Sequence, residues 1–311
     1  MSNQRFVVFG AGQVGGEVTR QLLAQGHRVR QVRQSGGSHE SGPLEVRAGD
    51  VRDRAFAAAC ADGASALIHC IAPPYHRWGE LLAAVNEGVL HAATTSGAPL
   101  VVLDNLYAYG RPDGALTEGH AVRPCSRKGA LRAREAEKLL SAHREGRARV
   151  ALGRAADFYG PGVTLTAVFG ERFFGRLAKR QGAECFGPPE LPHSYSFVPD
   201  VAAGLITLAT APRALGEVWH LPVAPAEPTA AVAARFGREL GFEVKTSRVP
   251  GAALRVMGLF VPAVKELLEM RYQWEAPFVL DDAKFRAAFG AQPTSLDEGV
   301  RATVRWLTTR G

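Results

Sequence analysis

The sequence predicts an α/β fold built on a doubly wound parallel sheet, with a smaller C-terminal lobe. Three observations predict it. Short apolar runs alternate with amphipathic helical stretches over the first half of the chain, the pattern of a parallel sheet with helices on both faces. The first run feeds directly into Gly10-Ala11-Gly12-Gln13-Val14-Gly15 and then a helical stretch. After Val150-Ala151-Leu152 the alternation stops, and Pro161, Pro188, Pro189 and Pro192 punctuate a region rich in Phe.

The opening strand is Arg5–Phe9, and the helix after it spans Val14–Gln25, with Gly26 as its stop. Between them, Gly10 permits the tight turn and Gly12 lets the backbone approach a pyrophosphate. Gly15 lets helix and strand pack closely, so the turn reads as a Rossmann-type dinucleotide site. The N–H groups of Gln13 and Val14 at the helix N-terminus face the phosphates. Further strands are expected at Arg28–Val32, Leu44–Ala48, Ala66–Ile71, Leu100–Leu103 and Val150–Leu152. Helices are expected at Asp53–Cys60, Glu80–Ser96 and Ser126–Arg144. Residues 1–160 form the dinucleotide-binding domain in this reading. Residues 161–311 are mostly a substrate lobe, with segments around 194–223 returning to the first domain.

Ligands of such a sheet bind at the carboxyl ends of its strands. The second strand ends at Arg33, where an NAD-selective site usually carries Asp or Glu for the ribose 2′-hydroxyl. An Arg suits a 2′-phosphate, so NADP is expected, with NAD as the alternative. Asp50 after the third strand has two readings, an acceptor for the adenine amino group or a cap for the next helix, and Val51 would pack on the adenine ring. Ile71 and Ala72 pass close to a ribose, and Tyr75 follows them towards the substrate side. Ala156 and Phe158 after the sixth strand complete the cofactor-side set.

Hydrophobic residues make up 46% and charged residues 22% of the 311-residue chain, ordinary for a soluble globular protein. Its net charge of +7 comes largely from dispersed Arg, not from the basic, aromatic-interleaved patch of a nucleic-acid binder. No apolar run approaches the roughly 18 residues of a membrane span. The four cysteines are far apart and lack metal-ligand spacing, so no metal and reduced thiols in the cytoplasm are expected. A homodimer is compatible with the sequence; the expected partner is a small-molecule substrate.

Six ordered markers give a resemblance that runs nearly end to end. They are Gly10–Gly15, Asp104-Asn105-Leu106-Tyr107-Ala108-Tyr109-Gly110, Arg154–Gly162, Phe197–Ala202, Gly216–Leu221, and Asp282–Phe285 leading to Pro293–Gly299. The chain resembles the extended short-chain dehydrogenase/reductase family, also called the NAD-dependent epimerase/dehydratase family. That family works with a Tyr, a Lys four residues later and a Ser or Thr. The resemblance implies that Lys128 stands at the Tyr position, Arg132 at the Lys position and Asn105 at the hydroxyl position. Tyr is absent from this helix, the mark of an atypical member.

Lys128 reads as a ligand of the cofactor ribose, as a proton-transfer group with its pKa lowered by burial and by Arg132, or as a solvated helix residue. Tyr109 could replace the missing phenol and line the substrate pocket, whereas Tyr107 reads more as packing. Asp157, Tyr159, His193 and Tyr195 are the remaining substrate-side candidates, with a structural role open for Asp157 and His193. The activity expected is NADPH-dependent reduction of a small, rather apolar carbonyl, imine or enone. The alternatives are a nucleotide-sugar epimerase or dehydratase, which the missing Tyr disfavours, and a catalytically silent NADP-binding regulator.

Overall fold

The structure, a computed structural model, describes residues 4–164, 166, 168–252, 260 and 262–309. The chain divides into two compact units. The first comprises residues 1–105, 130–154 and 201–221; the second comprises residues 106–129, 155–200 and 222–311.

The first unit is built on an eight-stranded sheet. Its strands are β1 (Arg5–Phe9), β2 (Arg28–Arg33), β3 (His39–Ser41), β4 (Leu44–Ala48), β5 (Ala66–His69), β6 (Leu100–Asn105), β7 (Val150–Ala155) and β12 (Val218–His220). They lie in the order β12-β7-β6-β5-β1-β2-β4-β3. β1 pairs in parallel with β2 and β5, as do β2 with β4, β5 with β6 and β7 with β12, whereas β3 lies antiparallel on β4. Both faces of β1 and β5 are buried, which is why these strands read as continuous apolar runs and not as alternating ones.

Helices α1 (Gln13–Ala24), α2 (Arg54–Ala61), α3 (Trp78–Ser96) and α4 (Arg127–Arg144) follow β1, β4, β5 and β6 in the chain. The expected strand and helix order of the first half is therefore present, with boundaries shifted by a few residues. The order reverses beside β1, whose neighbours are β2 and β5, and this switch point is where such sheets open a ligand crevice. The helix α6 (Val198–Thr210) leads to β12, placing the segment around 194–223 partly in this unit.

The second unit carries three small two-stranded sheets. In them β8 (Asp157–Tyr159) pairs with β11 (Tyr195–Phe197), β10 (Pro192–His193) with β13 (Glu227–Pro228), and β9 (Ala183–Cys185) with β14 (Thr246–Arg248). Its helices are α5 (Glu171–Ala178), α7 (Thr229–Leu240), α8 (Pro262–Leu268), α9 (Ala283–Phe289) and α10 (Leu296–Thr308). Phe169, Phe173, Phe174 and Phe236 pack ring against ring, with centroids 5.0–5.5 Å apart. These phenylalanines are core of the unit, each offering large apolar area and edge-to-face contacts. A second apolar stretch of the sequence runs from Ala252 to Phe278, and its Met257 lies outside the described residues. Among the described residues no helix is long and apolar enough to cross a membrane, and no cluster could hold a metal ion.

Candidate functional site

The glycine turn between β1 and α1 is set by close backbone packing at two of its three glycines. Gly10 has φ +108°, and a Cβ there would meet the Cys70 carbonyl carbon and the Ile71 nitrogen at 3.0 Å. A Cβ on Gly15 would lie 2.0 Å from the Gly10 oxygen, so close packing excludes any side chain. Gly12 differs: its Cβ would meet nothing within 4 Å. Gly12 is also the N-cap of α1, with no side-chain cap and no acidic residue in the first turn. The first-turn N–H groups and positive dipole end of α1 therefore meet open space beside Gly12, which fits a dinucleotide's phosphates. Gln13 is half-buried in that first turn, whereas Val14 is buried and can offer only its backbone.

At the end of β2, Arg33 donates to the carbonyls of Gly36 at 2.6 Å and Gly37 at 3.1 Å. Of the two readings of Asp50, the helix cap is corrected. Its carboxylate is engaged by Arg52, whose guanidinium also lowers its pKa. The cap of α2 is Asp53, which accepts from the N–H groups of Ala55 and Phe56. Val51 is buried with Val85 and Val89 in the apolar core under the sheet. Ile71 is half-buried and Ala72 exposed, while the Tyr75 ring lies 4.7 Å from Trp78.

A buried polar chain sets the loop after β5, and sequence reasoning missed it. The Ile71 N–H donates to His69 Nδ1 (3.3 Å), so His69 Nε2 donates to Asn86 Oδ1 (3.0 Å). The Asn86 amide donates in turn to Glu135, which Lys138 also meets at 3.0 Å. Burial pushes the His69 imidazole down to about 4 from 6.5, and Arg132 adds to the effect while the Asn86 bond opposes it. The folded protein thus holds His69 neutral, whereas the unfolded chain takes up a proton below 6.5. This contribution to stability is whole above pH 6.5 and is lost as pH falls towards 4. Across that window we expect about 3 kcal/mol of lost unfolding free energy from this group. Urea titrations from pH 7 to 4 check it: the loss shrinks in His69→Gln, and an unchanged pH slope would sink the assignment.

At the carboxyl ends of β6 and β7, Arg154 Nε donates to Asp104 at 3.0 Å, and Arg132 lies 3.8 Å from the same carboxylate. The Arg132 guanidinium stacks over Trp78 at 4.3 Å, and its buried Nε has no hydrogen-bond partner among the described residues. Asn105 at the end of β6 is half-buried.

In the second unit Lys128 is 2% exposed. Its Nζ is held by Glu266 of α8 and by Glu269 at 2.6 Å, and the backbone N–H of Arg127 donates to Glu269. The amine lies between two carboxylates. The solvated reading of Lys128 is excluded by its burial. Tyr107 and Tyr109 are both buried, and Tyr109 meets His120 edge-on at 6.3 Å.

Tyr159 faces no open cleft, contrary to expectation. It is fully buried against Phe197, and a Cβ on Gly299 would lie 2.3 Å from its hydroxyl. Burial and the Asp200 charge both raise the pKa of that phenol. Ala156 donates its N–H to Ser196 Oγ (3.0 Å), and Phe158 is half-buried in β8. Asp157 and His193 do come together: Nε2 of His193 donates to Asp157 Oδ2 at 2.9 Å, and Trp274 Nε1 meets the same oxygen at 3.2 Å. Tyr195 is buried, its hydroxyl 2.7 Å from Thr229.

A sequence model described as the NAD dependent epimerase/dehydratase family matches residues 6–221. The chain belongs to this family. A comparison with curated proteins finds no match. Among solved structures, the family fold is matched by dTDP-glucose 4,6-dehydratase of Bacillus anthracis in complex with NAD, at TM-score 0.78 and 13% identity over 98% of this chain and 97% of that one. The dehydratase DesIV of Streptomyces venezuelae, solved with NAD bound, matches at 0.79 and 20% over 98% and 97%. A UDP-galactose 4-epimerase matches at 0.74 and 20% over 98% and 99%. These similarities establish the epimerase/dehydratase fold and with it the resemblance read from the six markers. Within the family this chain carries Lys128 and Arg132 where the resemblance aligns Tyr and Lys.

Proposed function

We propose that the chain is a nicotinamide-dinucleotide-dependent enzyme acting on a hydroxyl or carbonyl group of a small molecule, with NADP(H) as its preferred cofactor. The observation that carries this is the cradle at Gly10, Gly12 and Gly15, where backbone approach is enforced on two sides and left open at Gly12. The family and its NAD-bound structural relatives support a nicotinamide cofactor. Such a cofactor would supply hydride chemistry. Gly12 and the first turn of α1 would hold its phosphates and Arg33 a 2′-phosphate. Arg132, with a buried unpaired Nε, would donate to ribose hydroxyls.

A second reading, a nucleotide-sugar dehydratase or epimerase, is favoured by the names of the structural relatives. It needs a group to take the sugar's hydroxyl proton, and Tyr is absent from the first turns of α4. Ultraviolet absorbance of NAD(H) retained through purification supports the second reading; its absence supports the first.

Calorimetric titration with NADP+ and NAD+ tests the proposal. NADP+ is expected to bind about tenfold more tightly, and Arg33→Asp to weaken NADP+ by about tenfold to a hundredfold, the value of charge-assisted hydrogen bonds. No binding of either dinucleotide sinks the cofactor reading. Equal affinities sink the NADP preference alone.

A further inference from the structure

Gly10 lies over the flat of the peptide that joins Cys70 to Ile71. A Cβ on Gly10 would meet the Cys70 carbonyl carbon and the Ile71 nitrogen at 3.0 Å and the Cys70 oxygen at 3.1 Å, so the glycine faces that peptide and not its edge. Both partners are tied to the sheet. The Cys70 N–H donates to the Phe9 carbonyl and the Gly10 N–H to the Val32 carbonyl, each at 2.8 Å. With those ends fixed, the tilt of the 70–71 peptide decides whether Gly10 has room. A rotated peptide would turn its oxygen or its N–H edge into the turn.

His69 addresses that tilt. Its Nδ1 accepts the Ile71 N–H at 3.3 Å, and its Nε2 lies 3.0 Å from Asn86 Oδ1. The Asn86 amide nitrogen donates to Glu135 at 3.4 Å. Glu135 is buried, and Lys138 and Arg134 meet its carboxylate at 3.0 and 3.6 Å.

Each bond in this chain can run in one direction. A carboxylate flanked by two cations only accepts, so the Asn86 nitrogen turns to Glu135 and its oxygen to His69. Nε2 must then carry the ring proton, which leaves Nδ1 as the acceptor for Ile71. A polar chain from α4 through α3 to the end of β5 therefore terminates on one backbone N–H, and that N–H belongs to the peptide packed on Gly10.

We propose that His69 is a positioning residue of the dinucleotide site: by accepting the Ile71 N–H it holds the 70–71 peptide flat against Gly10 and so sets the wall of the glycine turn. The proposal rests on the reading of that turn as the cofactor site.

Two substitutions divide the ring's two bonds. The amide oxygen of Asn falls near the place of Nδ1, so His69→Asn keeps an acceptor for Ile71 and loses Asn86. The longer Gln puts its amide near the place of Nε2, so His69→Gln keeps a partner for Asn86 and leaves the Ile71 N–H without its acceptor. Each variant loses one bond, and their thermal midpoints should fall by similar amounts. Their affinities should not. Calorimetric titration with NADP+ is expected to show His69→Gln weaker than wild type by about five- to tenfold, the value of one net hydrogen bond, and His69→Asn within about twofold. Equal affinities in the two variants, or a weaker His69→Asn, overturn the proposal, since a histidine serving the core alone would make affinity follow stability.

Should either variant fail to fold, 15N spectra of the wild type decide. Saturation with NADP+ should shift both the His69 Nδ1 and the Ile71 amide resonances, and resonances unmoved at saturation overturn the proposal. Absence of NADP+ binding by the wild type sinks the cofactor reading and this proposal with it, whereas wild-type binding with no difference between the variants sinks this proposal alone.

Discussion

Gly12→Val is expected to abolish dinucleotide binding while leaving the thermal transition within a degree or so of wild type. The argument is steric and one-sided. Gly12 sits at negative φ (−73°), a conformation open to any L-residue, and its Cβ position has no protein atom within 4 Å. Valine is therefore tolerated by the fold, and its branched side chain fills the space into which the N–H groups of α1 point. The neighbouring glycine supplies the contrast. On Gly15 a Cβ would lie 2.0 Å from the Gly10 oxygen and 2.9 Å from its carbonyl carbon, both backbone atoms that cannot rotate away. Gly15→Ala must then push α1 off β1, and it should lower stability by several kcal/mol, as overpacking of a rigid contact does. Calorimetric titration with NADP+ and thermal denaturation, run on both variants, separate the two effects. If Gly12→Val keeps wild-type affinity, the phosphates bind elsewhere. If Gly15→Ala is as stable as wild type, the close packing of α1 on β1 is wrong.

The same contrast shows what the sequence makes legible. The glycine turn could be read because its strand, turn and helix lie within twenty residues, and Gly15 answers Gly10 inside that segment. The parallel sheet could be read because strands buried on both faces become continuous apolar runs. Asp50 and Asp53 show the limit of local reading, since either aspartate suits the start of α2 and only the backbone geometry assigns the cap to Asp53. Tyr159 belongs to the family's marker region, yet its surroundings come from Gly299, 140 residues later in the chain. The bond from His193 to Asp157 spans 36 positions and that from Trp274 to Asp157 spans 117, so no spacing rule could announce the cluster. The His69–Asn86–Glu135 chain escaped for the same reason, although a lone His at the end of an apolar strand is a signal that a buried partner is required.

Lys128→Met is expected to cost about 3 kcal/mol, or roughly 4–6 °C in thermal midpoint. The side chain is 3% exposed, and its amine lies between Glu266 and Glu269, themselves only 14% and 21% exposed. Methionine matches the lysine's length and apolar stem, so packing is nearly conserved and the loss is electrostatic. Two carboxylates are left facing each other, half out of water, without the cation that joined them. Removal of one member of such a buried set costs more than the set ever contributed, because the remaining charges are stranded. The loss should therefore be recovered by removing the stranded charges. The triple variant Lys128→Met, Glu266→Gln, Glu269→Gln should regain more than half of it, since the two amides can hydrogen-bond each other without a cation. Lys128→Arg should stay closer to wild type, because it keeps a charge and adds donors for both carboxylates, though the larger fork must fit a closed site. Chemical denaturation of the four proteins gives the cycle. Recovery in the triple variant establishes Lys128 as the ion that fastens α8 to the start of α4. If Lys128→Met is as stable as wild type, the cluster contributes no such fastening, and Lys128 returns to being a candidate for proton transfer, where Lys128→Arg should cut turnover by roughly two to four orders of magnitude.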